Sequence, residues 1–291
     1  RPSFKMANAI WAEKTMPIER PFVENLTTNY GAGLHEQSFR GDPNGARETI
    51  NGWVERATED RIKDLIPAGI INSQTRLVLT NAVYFLASWA QPFRERATII
   101  DFFHPLSGKK RTSPLMQKTA KHNHMDGDGF AAVELDYAGG QLSMLAIVPD
   151  RGTYQEFAAS LDTELLSTIL QRLTKKKLWL LIPRFTFESA LDVRDSMRAL
   201  GMKDAFSAQR ADFSGMTGAP DLSVSAILQK TFVKVDERGT EAAAATVLVT
   251  RGKSKRPPTP MLKIDRPFIF LIRDKPTGTV LFIGRMSEPT E

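Results

Sequence analysis

Few side chains in these 291 residues are typed and spaced for chemistry. Ser214 sits in Asp212-Phe213-Ser214-Gly215-Met216, which lacks the leading glycine of a nucleophile elbow, so no strained strand-to-helix turn lifts its hydroxyl. No glycine-rich phosphate loop and no His-Glu-x-x-His zinc helix is spelled in the chain. The absence of cysteine removes any thiol nucleophile and any disulfide framework. His122 and His124 would share one face of a strand and offer two imidazoles to a metal. A metal site needs a third ligand and none follows nearby, so the pair reads as solvent-exposed histidines holding no metal. His35 and His104 have no partner in sequence. Nothing assembles a nucleophile, a base and an oxyanion site, and the expectation is a protein that is not an enzyme and uses no cofactor.

A different puzzle is written from Asp236 to Pro258, DERGTEAAAATVLVTRGKSKRPP. Its first half starts like a helix, with Thr240 as a cap and Ala242 to Ala245 at the top of the helix-propensity scale. Its second half, Val247-Leu248-Val249, is β-branched and apolar like a strand, and a basic, proline-rich run follows. The segment agrees with neither element.

The rest of the chain has ordinary globular composition, 42% hydrophobic and 25% charged, with a net charge of +6. The basic runs Lys109-Lys110-Arg111 and Lys175-Lys176-Lys177 read as solvated surface turns, so no nucleic-acid partner is expected. No apolar run reaches the roughly 18 residues of a membrane span, and the first residues lack the apolar core of a secretion signal. Alternation predicts a strand over residues 4–12, and helical spacing predicts helices over 17–30, 42–62, 153–174 and 190–200, the last ended by Gly201. In the 42–62 helix Ala46, Ile50, Trp53, Val54 and Ala57 fall on one face. Residues 75–86 are continuously apolar, as in a strand covered on both faces. Further strands are expected at 112–118, 130–137, 142–149, 177–187 and 222–237, with Gly139-Gly140 as a hairpin turn. The C-terminal run reads as an apolar hairpin buried on both sides. Helices and strands mixed without a βαβ rhythm predict an α+β fold.

Several strings together resemble one family, the serpins. Asn81 to Phe93, NAVYFLASWAQPF, is similar to the family's third-strand signature, with Asn81, Tyr84, Phe85, Trp89 and Phe93 in matching places. Ile50 to Pro67 resembles the helix and loop that overlie the main sheet, and Pro183-Arg184-Phe185 and Asp212 to Met216 also match. Val235 to Thr246, VDERGTEAAAAT, resembles the reactive-loop hinge, and Asp265 to Met286 the C-terminal hairpin. The resemblance implies a single serpin domain over residues 1–291, with three β-sheets, surrounding helices and an exposed reactive-centre loop at about 239–258. It also implies an N-terminal truncation, because residue 4 already matches the second strand of the main sheet.

What the resemblance implies about function is a suicide substrate for serine proteases. A protease cleaves the loop, and the segment from the hinge onward inserts as a new strand in the main sheet while the acyl-enzyme is dragged along and distorted. The hinge is then Glu237, Gly239, Thr240, Glu241, Ala242, Ala243, Ala244, Ala245 and Thr246, with Asn81, Gln229 and Trp89 under the opening sheet. With Glu241 facing solvent, Thr240, Ala242, Ala244, Thr246 and Leu248 face the core, and small alanines avoid overpacking. From Thr240 to Lys253 such a strand spans about 43 Å. Hydrogen bonds on both sides over a dozen residues lead to an expected gain above about 10 kcal/mol. The family register puts the scissile bond at Lys253-Ser254, suited to trypsin-like enzymes whose pocket carries a carboxylate. Arg251-Gly252 and Arg256-Pro257 are the rival bonds. Gln229 stands where the family usually has histidine, and Leu86-Ala87-Ser88 departs from its usual spelling. The implied protein is a secreted, extracellular monomer with no membrane partner. A non-inhibitory serpin (carrier, chaperone or storage protein) and a polyanion-regulated binder are the alternatives.

Overall fold

The computed structural model describes residues 3–30, 33–220, 222–240 and 259–289. In chain order they form β1 (Ser3–Glu13), α1 (Arg20–Tyr30), β2 (Gly33–Gln37), α2 (Pro43–Ala57), β3 (Leu77–Ser88), β4 (Ile99–Phe103) and β5 (Arg111–Asp126). Next come β6 (Phe130–Asp136), β7 (Leu142–Pro149), α3 (Tyr154–Ser160), α4 (Thr163–Arg172), β8 (Thr174–Pro183) and β9 (Phe185–Asp192). They are followed by α5 (Arg194–Ala199), α6 (Ser214–Thr217), β10 (Ala226–Val235), β11 (Gly239–Thr240), β12 (Met261–Lys263), β13 (Phe268–Asp274) and β14 (Val280–Met286). Two compact units result, one drawn mainly from Leu86–Phe187 and Val233–Glu291, the other from Phe4–Phe85 and Glu188–Phe232.

One sheet runs β2-β1-β3-β10-β9, with β11 also on β3; the other runs β12-β8-β5-β6-β7-β13-β14, with β4 also on β5. The fold is α+β. Where three sheets are expected, hydrogen bonding among the described residues joins the strands into two, since β5 is one strand of 16 residues rather than the short element at 112–118. Its first residues pair with β4 and its last with β6, while β8 runs along it from Leu115 to His124. Lys175-Lys176-Lys177 therefore lies inside β8 and not in a turn, with Lys176 bound to Asp126 at 2.8 Å.

Local chemistry sets the element ends. α2 begins where the Asp42 side chain accepts from Gly45 N at 2.9 Å, with Pro43 in the first turn, where its missing N–H costs nothing. It stops at Ala57, short of 62, because Glu59 and Asp60 turn left-handed. Ala46, Ile50 and Val54 are buried, whereas Ala57 at the helix end is exposed. The predicted helix over 153–174 is two helices, since Asp162 caps a new one by accepting from Leu165 N at 2.8 Å. Phe157 of α3 and Ile169 of α4 both enter one core with Phe130, Leu145, Ile147, Ile269 and Leu271.

The apolar strands are only partly as expected. β3 buries Thr80, Ala82 and Tyr84, but Leu79, Asn81 and Val83 on its other face stay half-covered. In the C-terminal hairpin β13 is buried from Phe268 to Ile272, between β7 and β14. β14 is an edge strand, so it alternates: Phe282 and Met286 are buried, while Leu281 and Ile283 are exposed.

α2 is anchored by a buried polar brace. Asn51 Nδ2 donates to Ile66 O at 3.0 Å and its Oδ1 accepts from Ile66 N at 2.8 Å. Trp53 on the same helix packs its ring at 5.4 Å from both Trp11 of β1 and His35 of β2. Asn51→Ala leaves both backbone groups of the buried Ile66 unpaired, so unfolding by denaturant should show a loss of about 2–3 kcal/mol. A loss under half a kcal/mol, roughly the scatter of a surface substitution, would mean water replaces the brace.

Candidate functional site

β3 and β10 are direct parallel neighbours. Seven residue pairs hold them together, from Ala226↔Val78 to Phe232↔Tyr84, and Gln229 stands opposite Asn81. The two amides share a register position, yet the Asn81 amide donates to Asn8 Oδ1 of β1. On the neighbouring position Trp11 Nε1 donates to Thr80 Oγ1 at 2.9 Å.

Past β10 the chain reverses tightly, with Asp236 N donating to Gly239 O at 2.9 Å and Gly239 N donating back to Asp236 O at 3.2 Å. The turn is tied down by the segment after β3. Trp89 N donates to Arg238 O at 2.9 Å, Trp89 Nε1 to Asp236 O at 2.9 Å, and Phe93 N to Glu237 O at 2.8 Å. Trp89 is fixed in turn by stacking on Tyr137 at 4.6 Å.

Glu237 is the centre of this clamp. It is only 3% exposed. Arg184 donates Nε to both carboxylate oxygens at 2.8 Å and Nη2 to Oε1 at 2.6 Å, and Thr98 Oγ1 donates to the same oxygen. Burial pushes the Glu237 carboxyl up, but the hydrogen bonds from Arg184 and Thr98 outweigh burial and hold it below its ordinary value. Arg238, the next residue, pairs with Glu95 at 2.9 Å.

Gly239 is required by a close approach. Its φ of 141° lies in the region open to glycine, and a Cβ there would stand 2.1 Å from Ala87 O and 2.6 Å from Ser88 Cα. The approach lets Gly239 and Thr240 pair antiparallel with Ser88 and Ala87 as β11. Glu241, Ala242, Ala243, Ala244, Ala245 and Thr246 of the hinge lie outside the described residues, as do Lys253-Ser254 and both rival bonds.

The other sequence candidates fall elsewhere. Ser214 opens the four-residue α6, its N–H held by Asp212 Oδ1 at 3.0 Å, and Met216 sits in a core with Ala12, Leu77, Leu222 and Val224. That motif is packing, not a nucleophile. His122 and His124 are buried and not solvent-exposed, because they lie on the covered face of the long β5. The His124 ring nitrogens are taken up by Ala132 O and Asp126 Oδ1, each at 2.9 Å. No group of three metal-binding side chains forms among the described residues. Sequence reasoning missed the clamp partners of Glu237, although Arg184 lies in the quoted Pro183-Arg184-Phe185; the string carries no sign of a partner 53 residues away.

Glu237→Gln tests the clamp. Because the folded pKa is depressed, the ion pair contributes stability that is present above the unfolded value of about 4.3 and lost as pH falls through the lower folded value. Near pH 7 the variant should lose roughly 2 kcal/mol in denaturant titration, and the gap to the parent should close below about pH 4. An equal gap at both pH values would refute the charge-based account.

Comparison with known proteins agrees with this geometry. A family model described as serpin (serine protease inhibitor) matches residues 1–289. A serpin-like protein of Thermococcus kodakarensis is 36% identical over 99% of this chain and 67% of its own length. The leukocyte elastase inhibitor of Equus caballus is 36% identical over 98% of this chain and 77% of its own. Among solved structures, thyroxine-binding globulin in complex with thyroxine superposes with a TM-score of 0.88 at 26% identity, over 100% of this chain and 77% of that one. With a family model spanning the strand pair, the clamp and the C-terminal hairpin alike, the chain belongs to the serpin family.

Proposed function

We propose that this serpin is a suicide-substrate inhibitor of trypsin-like serine proteases, cut at Lys253-Ser254, that traps the acyl-enzyme by inserting residues from Thr240 onward between β3 and β10. One observation carries the reading. Gly239 and Thr240 lie antiparallel on β3, while β3 and β10 pair directly and in parallel. A strand entering between them in that sense faces both neighbours in the slightly more stable antiparallel geometry. Because β3 and β10 already share a ladder, insertion breaks one ladder and forms two. The net gain is then about one hydrogen bond per inserted residue, of order 0.5–1.5 kcal/mol each. Over the seven shared register positions this comes to roughly 4–10 kcal/mol, less than a count of two new ladders suggests. Ala242 to Ala245 keep the overpacking cost of entry small.

Target preference rests on Arg251, Lys253 and Arg256, each of which offers a cation to a carboxylate pocket. The protein works as an extracellular monomer in this reading. No helix among the described residues is long and apolar enough to cross a membrane. The likeness to thyroxine-binding globulin, solved with thyroxine, favours a non-inhibitory carrier as the second reading.

Incubation of the full-length protein with trypsin separates the two. The inhibitor yields a covalent adduct that survives SDS, whereas a carrier is merely cleaved. Thr240→Arg should convert adduct into cleaved protein, since burying an unpaired guanidinium costs several kcal/mol and slows entry of the strand. Undiminished adduct in that variant would exclude insertion led by residue 240.

Lys253→Ala should abolish the adduct with trypsin-like enzymes, while Lys253→Arg preserves it and Arg251→Ala changes it little. Mass spectrometry of the released fragment reads the bond directly. A new N-terminus at Gly252 or Pro257 would move the bait residue to Arg251 or Arg256.

A further inference from the structure

Next to the clamp, and unused by it, is a cavity of about 250 Å³ lined from β5, β6, β8 and the Ala90-Gln91 segment. Three lysines line it. Lys118 donates Nζ to Gln91 O and lies 4.2 Å from the centroid of the Phe93 ring. Lys121 and Lys175 line the same cavity with exposed side chains and form no ion pair among the described residues. His122 is only 6% exposed, and its buried Nε2 has no hydrogen-bond partner. Buried polar atoms in folded proteins are nearly always partnered, by protein or by water, so such an atom lining a cavity offers a hydrogen bond to whatever occupies it.

The charge of the cavity is not cancelled by its own carboxylates. Glu134 is occupied by Arg273 at 2.6 Å, Ser143 at 2.7 Å and Asn123 at 2.8 Å, and Asp136 by Lys275 at 2.7 Å. Burial, reinforced by Lys118 and His124, pushes the His122 imidazole down to about 4, so at neutral pH it is an uncharged ring. Burial also pushes the Lys118 ammonium down to about 8, which leaves it largely charged at neutral pH. Planar carboxylates are best matched by a two-pronged arginine, and the nearby Arg273 already serves Glu134. Lysines arranged as separate point charges suit an anion with several outward oxygens. The volume is several times the roughly 30 Å³ of one water, so a bare ion would leave it part-empty.

We propose that this cavity binds a small organic phosphate or sulfate ester. Its oxyanion takes the ammonium groups of Lys118, Lys121 and Lys175, and one oxygen accepts from His122 Nε2–H. Lys118 has three N–H donors, of which Gln91 O occupies one, so it serves both partners. The site stands whether or not the protein inhibits proteases.

Calorimetric titration of the full-length protein tests it, with glucose 6-phosphate, glucose 6-sulfate, inorganic phosphate, inorganic sulfate and glucose as probes. One of the esters should saturate at a single site, the bare ions should bind more weakly, and glucose not at all; the tighter ester identifies the oxyanion. Lys121→Gln combined with Lys175→Gln alters only exposed side chains and should weaken the ester by about tenfold or more. The His122 Nε2 resonance should shift on saturation, and the shift should persist with the ester bound to the Lys121→Gln, Lys175→Gln variant at saturating concentration. No saturable ester binding, equal binding by the bare ion, an unaffected double variant or a stationary His122 signal would each overturn the proposal.

Discussion

The buried carboxylate of Glu237 fixes the backbone where β10 ends and the loop segment begins. An unpaired carboxylate at that depth would be costly, and Arg184 with Thr98 converts that cost into a directional tie. Everything downstream inherits its position. With Glu237 held and Phe93 N bound to its carbonyl, Asp236 and Gly239 close their turn. Gly239 is then brought so near Ala87 O that only a residue without Cβ fits. Two hydrogen-bonded residues of β11 follow, and they set the direction in which the chain leaves the turn.

That direction matters because of what β3 and β10 do to each other. Their parallel ladder is complete from Val78 to Tyr84, so the sheet is already satisfied without a further strand. In the proposed insertion, entry of a strand would therefore be an exchange of ladders with a barrier, not the filling of a vacancy. The uncleaved state would then persist by kinetics while a better-paired state exists. The half-covered Asn81 and Gln229 sit at matching positions of that ladder. Because the Asn81 amide is committed to Asn8, this pair adds no side-chain bond across β3 and β10. In the proposed insertion, Gln229 thus leaves the parting of the strands to the backbone ladder itself.

Much of this was legible in the residues. Period-two and 3.6-residue patterns located the longer strands and helices but not the short β2, β4, α6, β11 and β12, and the glycines at 139, 140 and 201 marked real reversals, each with positive φ. Boundaries failed where a side chain overruled the pattern: Asp162 started a new helix inside an apolar run, and Glu59 and Asp60 stopped another. Burial failed for reasons of neighbourhood. Edge position exposes Ile283 of β14, and the length of β5 covers His122 and His124, neither of which local spelling can encode. The hinge from Val235 to Thr246 was assigned by resemblance, and only its part up to Thr240 falls among the described residues. Arg184, Thr98 and Glu95 could not be assigned as its partners, since an ion pair across 53 residues or a bond across 139 leaves no period in the sequence.

The short segment from Trp89 to Phe93 joins the two sites. On one side its N–H groups grip the hinge turn at Arg238 O and Glu237 O. On the other, Ala90 N donates to Asp136 O at 2.8 Å and Gln91 O accepts from Lys118, both in the wall of the polar cavity. Four of its five residues are thus hydrogen-bonded, Trp89 and Phe93 to the turn and Ala90 and Gln91 to the cavity wall. An anion bound to Lys118 would use its two remaining N–H donors and leave the tie to Gln91 O in place. The segment held by that tie is the same one that holds Glu237 and Arg238 in place. Tight packing makes such a segment stiff, with Trp89 stacked on Tyr137 and edge-on to Phe93 at 6.4 Å. The turn and the cavity wall thus share one packed connector.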